Sequence, residues 1–428
     1  LSRVIQVNER PPLIESIPLS LQHLFAMFAS NVLVPNLFGV NPATILLMNG
    51  IGTLLYLFIC KGKIPAYLGS SFAFLSPVFV ILATSGGSYE QALFGFMGVG
   101  VIFIIVALLV GKVGIGWIDV VFPPAAMGAI VAVIGLELVP VAARMAGFIP
   151  AEGVDPNTFQ VDTNTVIVAV ITMAIIIFGN VLFRGFMKII PILIAIIVGY
   201  VISAPAFFNL VKWDMVREAK WFDLPTHYTP HFDLSSFLII LPAALVVIAE
   251  HIGHLVVTSN IVGKDLTKDP GLHRSLLGNG ISTVLSSLFG STPNTTYGEN
   301  IGVLAMTKVY STWVIGGAAI FSVILAFCGK LAALIAAIPG AVMGGVSILL
   351  FGIIAVSGIR MLVESKVDYN KPINMILTAV VLVIGISGTK FTWGNFELKG
   401  MALATVVAII LSLLFKLFEV LKIDNEER

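Results

Sequence analysis

The stretch Ser291-Thr292-Pro293-Asn294-Thr295-Thr296-Tyr297-Gly298-Glu299-Asn300-Ile301-Gly302 sets a polar string and a carboxylate in a region whose flanks are apolar enough to lie in a membrane. Upstream, Glu250-His251-Ile252-Gly253-His254 follows another apolar run. An ionised group at membrane depth costs several kcal/mol, so chains keep such groups mainly for ion or substrate traffic. These two segments are therefore where function is expected.

The composition supports the membrane premise. Of 428 residues, 58% are hydrophobic and 11% charged, with a mean hydropathy of +1.03, whereas soluble domains carry about 25% charged residues. The chain reads as a polytopic membrane protein. A net charge of +1 without a Lys/Arg stripe gives no case for nucleic-acid binding. The chain opens on Leu1 rather than Met, which reads as a trimmed start. The mixed segment through Glu15, with Pro11-Pro12, lacks the charged-then-apolar order of a signal peptide, so the first apolar segment is expected to be a retained span. Cys60 and Cys328 end two apolar segments. They are expected to be free, at opposite membrane surfaces about 30 Å apart.

Taking about 20 apolar residues per span, the first half offers candidates near 17–38, 41–60, 64–83, 91–110, 118–139, 164–182 and 186–204, and the second near 236–258, 272–290, 296–308, 311–329, 338–358, 372–388 and 398–421. The segments 64–83 and 296–308 are the poorest helices. The first is broken by Gly69, Ser70, Ser71 and Pro77, and the second is short and follows the polar string. Backbone that is not helical at membrane depth must be satisfied by protein or line a cavity. Most of the 24 Lys and Arg residues fall on one side of this fourteen-span arrangement, among them Lys61, Lys63, Arg184, Lys188, Lys264, Lys268, Arg360, Lys366 and Lys371. That side is expected to be cytoplasmic, with both termini on it.

The two halves echo one another. Pro123-Pro124-Ala125-Ala126-Met127-Gly128 returns as Pro339-Gly340-Ala341-Val342-Met343-Gly344, Phe103 with Gly111-Lys112 returns as Phe321 with Gly329-Lys330, and Gln22-His23 with Ser30-Asn31 returns, one residue out of step, as Glu250-His251 with Ser259-Asn260. Seven spans per copy is odd, so the second copy must be inverted. Inverted repeats with interrupted helices in matching places point to a secondary transporter with its site near the midplane.

On a helix, Glu250 and His254 lie four apart and share a face, while His251 points elsewhere. A carboxylate beside an imidazole can act as a proton-carrying pair, and the competing reading is that these groups only tie helices together. Gly298-Glu299 opens a half-helix whose N–H groups can point at a ligand, and Ser71-Phe72-Ala73-Phe74 before Pro77 is the matching place in the first half. Phe72 and Tyr297 could stack on a flat ligand or simply pack. Gln22 and His23 lie opposite Glu250-His251 by the repeat, with His23 able to support a site carboxylate. Glu137, near an outer span end, is expected to be solvated. Asn294-Thr295-Thr296 matches a glycosylation sequon but sits too deep to serve as one. No metal-ligand spacing, phosphate loop or nucleophile elbow appears.

Glu299-Asn300-Ile301-Gly302-Val303-Leu304-Ala305-Met306-Thr307-Lys308 resembles the signature of the nucleobase-ascorbate transporter family: a polar or acidic residue, Asn, any residue, Gly, four residues, Thr, then a basic or small residue. Gln22-His23 and the Glu250 segment also match, and the resemblance covers essentially the whole chain. Within the family it is closest to the bacterial uracil-carrying branch, because the motif opens with Glu where xanthine and urate carriers typically have Gln. The resemblance implies an all-α protein of the inner membrane with fourteen spans in two inverted repeats and short strands in spans three and ten. Residues 15–110 and 236–329 would form a substrate-binding core and 118–204 and 338–421 a gate, with proton-driven uptake and a homodimer through the gate. Carried over, Glu250 and Glu299 bind the base, Phe72 and Gly298 offer backbone groups, His254 and Tyr297 line the pocket, and His23 supports it. Glu250, His254, His23, Gln22 and Glu299 are the candidates for proton coupling or support. No cofactor is implied beyond the proton. Ser30 and Phe351 stand where Ala and Tyr are expected in that branch.

Uracil presents two ring N–H donors and two carbonyl acceptors, so its site needs carboxylates together with backbone or imidazole donors. The alternatives are a xanthine or urate permease and an anion exchanger of the same fold. Glu299 argues against both, since two carboxylates repel an anion unless protonated. An enzyme is disfavoured because no nucleophile or metal set accompanies the Glu and His residues, and a passive channel because broken inverted helices suit alternating access.

Overall fold

The computed structural model describes residues 4–394 and 396–423; the terminal residues, expected on the cytoplasmic side, lie outside them. The protein is mostly helical, and eight of the described helices are long and apolar enough to cross a membrane. Large apolar side chains such as Phe58, Val181 and Ile324 stand exposed around the outside, which is tolerable only where lipid rather than water covers them. Helix starts follow local chemistry. Asn41 accepts from the Ala43 N–H, with Pro42 following it. Ser88 and Gln91 form a reciprocal capping box, and Asp233 accepts from the Ser236 N–H at 2.9 Å.

The packing has an internal correspondence. Helix Pro42–Ile59 packs on Thr312–Ala326, while Leu272–Leu288 packs on Tyr89–Val113. Likewise Leu13–Ala26 packs on Thr312–Ala326, and Leu234–Val262 on Tyr89–Val113. The most extensive pairing joins Pro124–Met145 to Gly340–Glu364. Both of these start after a proline of nearly the same backbone geometry, Pro123 at φ −63°, ψ 154° and Pro339 at φ −63°, ψ 148°. Close approach of Leu272–Leu288 to Tyr89–Val113 needs glycine on both sides: a Cβ on Gly100 would sit 2.8 Å from the Gly280 carbonyl oxygen, and one on Gly280 2.9 Å from that of Gly100.

Several boundaries differ from the sequence reading. The segment read as 118–139 is a short helix, Gly116–Val121, followed by a separate one, Pro124–Met145. Pro123-Pro124 disfavours helical backbone just before it and starts a new helix just after. Pro191 similarly confines the helix within 186–204 to Pro191–Ile202. The segment 17–38 is interrupted at Met27. Between the last two long helices lies an unforeseen hairpin, with Lys390–Trp393 antiparallel to Phe396–Lys399. Glu137 is not simply solvated. Its Oε1 accepts from the Ser76 hydroxyl at 2.5 Å and its Oε2 from the Met401 N–H at 3.0 Å, tying three helices together. Cys60 and Cys328 are both free.

Candidate functional site

Two three-residue strands, β1 (Leu68–Ser70) and β2 (Asn294–Thr296), pair antiparallel in the interior, with Leu68 opposite Thr296 and Ser70 opposite Asn294. So short a pair leaves its outer edges without partners, which a buried backbone cannot afford. Side chains of the flanking helices supply them. Thr53 Oγ1 accepts from the Leu68 N–H at 2.9 Å and Thr283 Oγ1 accepts from the Asn294 N–H at 3.2 Å. Asn294 Nδ2 donates to Ser282 Oγ at 2.7 Å. Both strands then turn into helices. Ser71 caps the 3-10 turn Phe72–Phe74 by accepting from the Ala73 N–H at 3.3 Å, and the chain continues as Leu75–Ala83. Past β2, Tyr297 leads directly into Gly298–Thr307.

At this junction lies a cavity of about 330 Å³ lined by Ser71, Phe72 and Ala73 from the first strand-helix turn, Thr295, Thr296, Tyr297, Gly298 and Glu299 from the second, and Glu250 and His254 from Leu234–Val262. At about 30 Å³ per water that is room for a single-ring solute with accompanying waters. Its remaining wall is Val131 and Ile134 of Pro124–Met145 with Ile353, Ile354, Ser357 and Arg360 of Gly340–Glu364. His254 Nδ1 lies 3.0 Å from Thr296 Oγ1, and its Nε2 lies 3.9 Å from Glu250 Oε1, too far for a direct hydrogen bond. The Phe72 and Tyr297 rings meet edge to face with centroids 5.9 Å apart, and the Tyr297 hydroxyl donates to the Ser70 carbonyl. That bond anchors the tyrosine to β1. Glu299 stands open to the cavity in the first turn of its helix, where the dipole favours a negative charge and the leading N–H groups have no intrahelical acceptor. The cavity thus combines two carboxylates, an imidazole, free-facing backbone and an aromatic wall.

Of the sequence-selected residues, Glu250, His254, Phe72, Tyr297, Gly298 and Glu299 meet around this one cavity, and Gln22 and His23 do not line it. His23 is fully buried and reaches the signature motif through Asn300, whose Nδ2 lies 2.9 Å from His23 Nδ1. Because Asn300 Oδ1 accepts from the Tyr67 N–H at 3.3 Å, the amide nitrogen faces His23, and Nδ1 must accept. The neutral ring therefore carries its proton on Nε2. Gln22 is half-buried beside it. His251 faces away from the cavity: its Nε2 lies 2.7 Å from Ser275 Oγ, itself 2.7 Å from the Tyr56 hydroxyl. Ser30 donates to the Met27 carbonyl at 3.0 Å, and Phe351 is buried off the cavity. The sequence reading did not select Thr296, which orients His254, or the wall residues Val131, Ile134, Ser357 and Arg360. Arg360 bonds Glu364 at 2.6 Å.

The profile of the permease family matches residues 14–394. The chain is 67% identical over 424 residues to the uracil permease of Paenibacillus larvae subsp. larvae, covering 99% of both chains. It is 64% identical over 420 residues to the uracil permease of Escherichia coli strain K12, covering 98% of this chain and 96% of that one. In fold it is similar to the murine solute carrier 26 family member A9 anion transporter in its inward-facing state, with a TM-score of 0.73 at 13% identity over 96% of this chain and 69% of that one.

Proposed function

The chain belongs to the permease family, and from that premise we propose that it carries uracil inward across a bacterial inner membrane together with protons. The observation that carries this reading is the cavity that Glu250 and Glu299 line together with the start of helix Gly298–Thr307, in a chain about two-thirds identical to uracil permeases. Carboxylates accept the ring N–H groups of the base, backbone and His254 donate to its carbonyls, and Phe72 and Tyr297 bound its faces. A base lacking a matching N–H would leave a desolvated carboxylate unpaired, which discriminates better than shape does. Glu250 with His254 is the proposed proton-linked pair, and no other cofactor enters the proposal.

The proposed architecture has fourteen spans in two inverted repeats, with β1 and β2 in the third and tenth. Residues 15–110 and 236–329 form a core that carries the half of the cavity with both carboxylates, and 118–204 and 338–421 form a gate that carries the facing wall of Val131, Ile134, Ile353 and Ile354 with Ser357 and Arg360. The exchange of packing partners described above supports the inverted repeat, because a two-fold axis in the membrane plane maps each of those contacts onto the other. Rocking of core against gate would expose the cavity to either side in turn. Both termini are proposed to be cytoplasmic, and a homodimer through the gate is proposed on the family resemblance.

The test is radiolabelled uptake into proteoliposomes, comparing uracil, xanthine and sulfate with and without an imposed proton gradient. Uracil alone should accumulate, and a protonophore should collapse the accumulation to equilibration. Preferential accumulation of xanthine or sulfate would reject the substrate, and gradient-independent accumulation of uracil would reject the coupling.

A further inference from the structure

A second, larger cavity of about 690 Å³ opens on the outside of the protein where helices Leu13–Ala26, Pro42–Ile59 and Thr312–Ala326 meet. Its floor is apolar, including Leu54, Leu57, Ile320 and Phe321. Its rim holds Arg10 and Lys61, the only charged residues among the described ones lining it. Arg10 lies over the Trp313 ring, its guanidinium carbon 4.7 Å from the ring centroid, and Lys61 is exposed, its charge also felt by Asp269, whose direct ion-pair partner is Lys63.

The backbone that carries both cations is held in place. The segment leading to Arg10 is tied to the start of the eleventh proposed span: the Tyr310 N–H donates to the Ile5 carbonyl at 2.8 Å, the Thr312 N–H to Val7 at 3.0 Å, and the Ser311 hydroxyl to Glu9 at 2.6 Å. Lys61 sits in a left-handed turn, φ 57°, that closes Pro42–Ile59, and the Thr312 hydroxyl donates to the next carbonyl, Gly62, at 3.0 Å. The rim is therefore preorganised, and the stacked tryptophan marks it as lying at the membrane interface.

We propose that this groove binds an anionic phospholipid, its phosphate held between Arg10 and Lys61 and one acyl chain lying in the slot beside Leu54 and Ile320. Charge complementarity selects the headgroup: two cations with no carboxylate among the described lining residues favour a net negative lipid over a zwitterionic one, and basic pockets between spans are where such headgroups settle. The apolar floor running from the rim into the bilayer selects a tailed anion over a soluble one. This inference rests on the chain crossing a membrane and not on which solute it carries.

The test uses the full chain in detergent titrated with dioleoylphosphatidylglycerol or dioleoylphosphatidylcholine, with native mass spectrometry counting retained lipids and thermal melting reporting stabilisation. The parent should retain one phosphatidylglycerol in preference to phosphatidylcholine. Arg10→Gln with Lys61→Gln should weaken that binding about thirty-fold, whereas Lys112→Gln with Lys188→Gln, which removes the same charge elsewhere, should leave it unchanged. Gly316→Leu keeps both cations but fills the slot, where a Cβ meets nothing closer than Leu57 Cδ1 at 3.7 Å, and should weaken the lipid also. Equal binding of the two lipids, or equal loss in both charge variants, would overturn the proposal. So would stabilisation by inorganic phosphate matching that by the lipid, since it would make this a free-anion site.

Discussion

Replacing Glu137 should release the proposed core from the proposed gate. The side chain leaves Pro124–Met145 and accepts from Ser76, on the half-helix Leu75–Ala83 beyond β1, at 2.5 Å and from the Met401 N–H at 3.0 Å. Met401 lies in the first turn of Gly400–Leu421, whose own N-cap position, Lys399, provides no side-chain bond. Glu137 therefore caps that helix from a neighbour, a placement its dipole rewards. The fit also explains Gly400: it holds φ +53°, and a Cβ there would run into the Glu137 carboxylate. Hydrogen bonds to a charged acceptor contribute about 1.5–3 kcal/mol each, against about 1 kcal/mol for neutral ones. Glu137→Gln can keep both contacts, amide oxygen to Met401 and amide nitrogen to Ser76, and should cost roughly 1–3 kcal/mol. Glu137→Ala loses both and should cost roughly 3–5 kcal/mol. Only the Ser76 bond joins the proposed core to the proposed gate, Met401 lying on the gate with Glu137 itself. At about 1.4 kcal/mol per factor of ten, weakening it by about 0.5–2 kcal/mol should cost the bonded arrangement about two- to thirty-fold in population for Gln, and losing it, about 1.5–3 kcal/mol, about ten- to a hundred-fold for Ala. Single cysteines placed on the core-gate boundary would report the shift as faster labelling, and proteoliposome uptake would show a changed rate with substrate affinity kept within a few-fold. Labelling and uptake equal to the parent's in both variants would refute the idea that this contact sets the balance between core and gate.

Glu250→Gln or Glu299→Gln, each placing an NH2 where a ring N–H donor is expected, should weaken uracil binding about thirty- to a thousand-fold at the carboxylate that accepts it; calorimetry on each variant checks this, and parental affinity and accumulation in both would reject the site. Cross-linking a core helix to a gate helix, for example through cysteines at Ser76 and Glu137, should abolish uptake while sparing binding from one side, as uptake with and without reductant will show. Asp269 lies outside the spans and is held below the ordinary carboxylate range by the Lys63 ammonium, which bonds both its oxygens at 2.6 and 2.7 Å. A lowered folded value stabilises above the unfolded pKa of about 3.9 and is lost as pH falls through the folded one. Parent and Asp269→Asn should therefore differ slightly in melting temperature near neutrality and converge as pH falls below about 4; a gap that widens on acidification would contradict the assignment.

The membrane class was readable from composition alone, because lipid admits only long apolar helices or closed barrels. The family was readable from the ten residues beginning at Glu299. The segments around Glu250 and Glu299 stood out because a carboxylate in an apolar run is costly wherever the run ends up. The hairpin at 390–399 was also legible in principle, since Gly394-Asn395 between aromatic, alternating flanks is a turn signal that the strong apolar run after it obscured. What only the tertiary structure decided is which of these residues meet. β1 finds β2, and Asn300 finds His23 across 277 positions. Glu137, an ordinary polar residue near a span end by its local sequence, acquires partners on two other helices, and the cavity wall of Val131, Ile134, Ser357 and Arg360 has no local signature at all. Periodicity and burial cost are properties of a few neighbouring residues. Partner choice depends on which helices pack and at what height, and that is set by the whole set of interfaces at once.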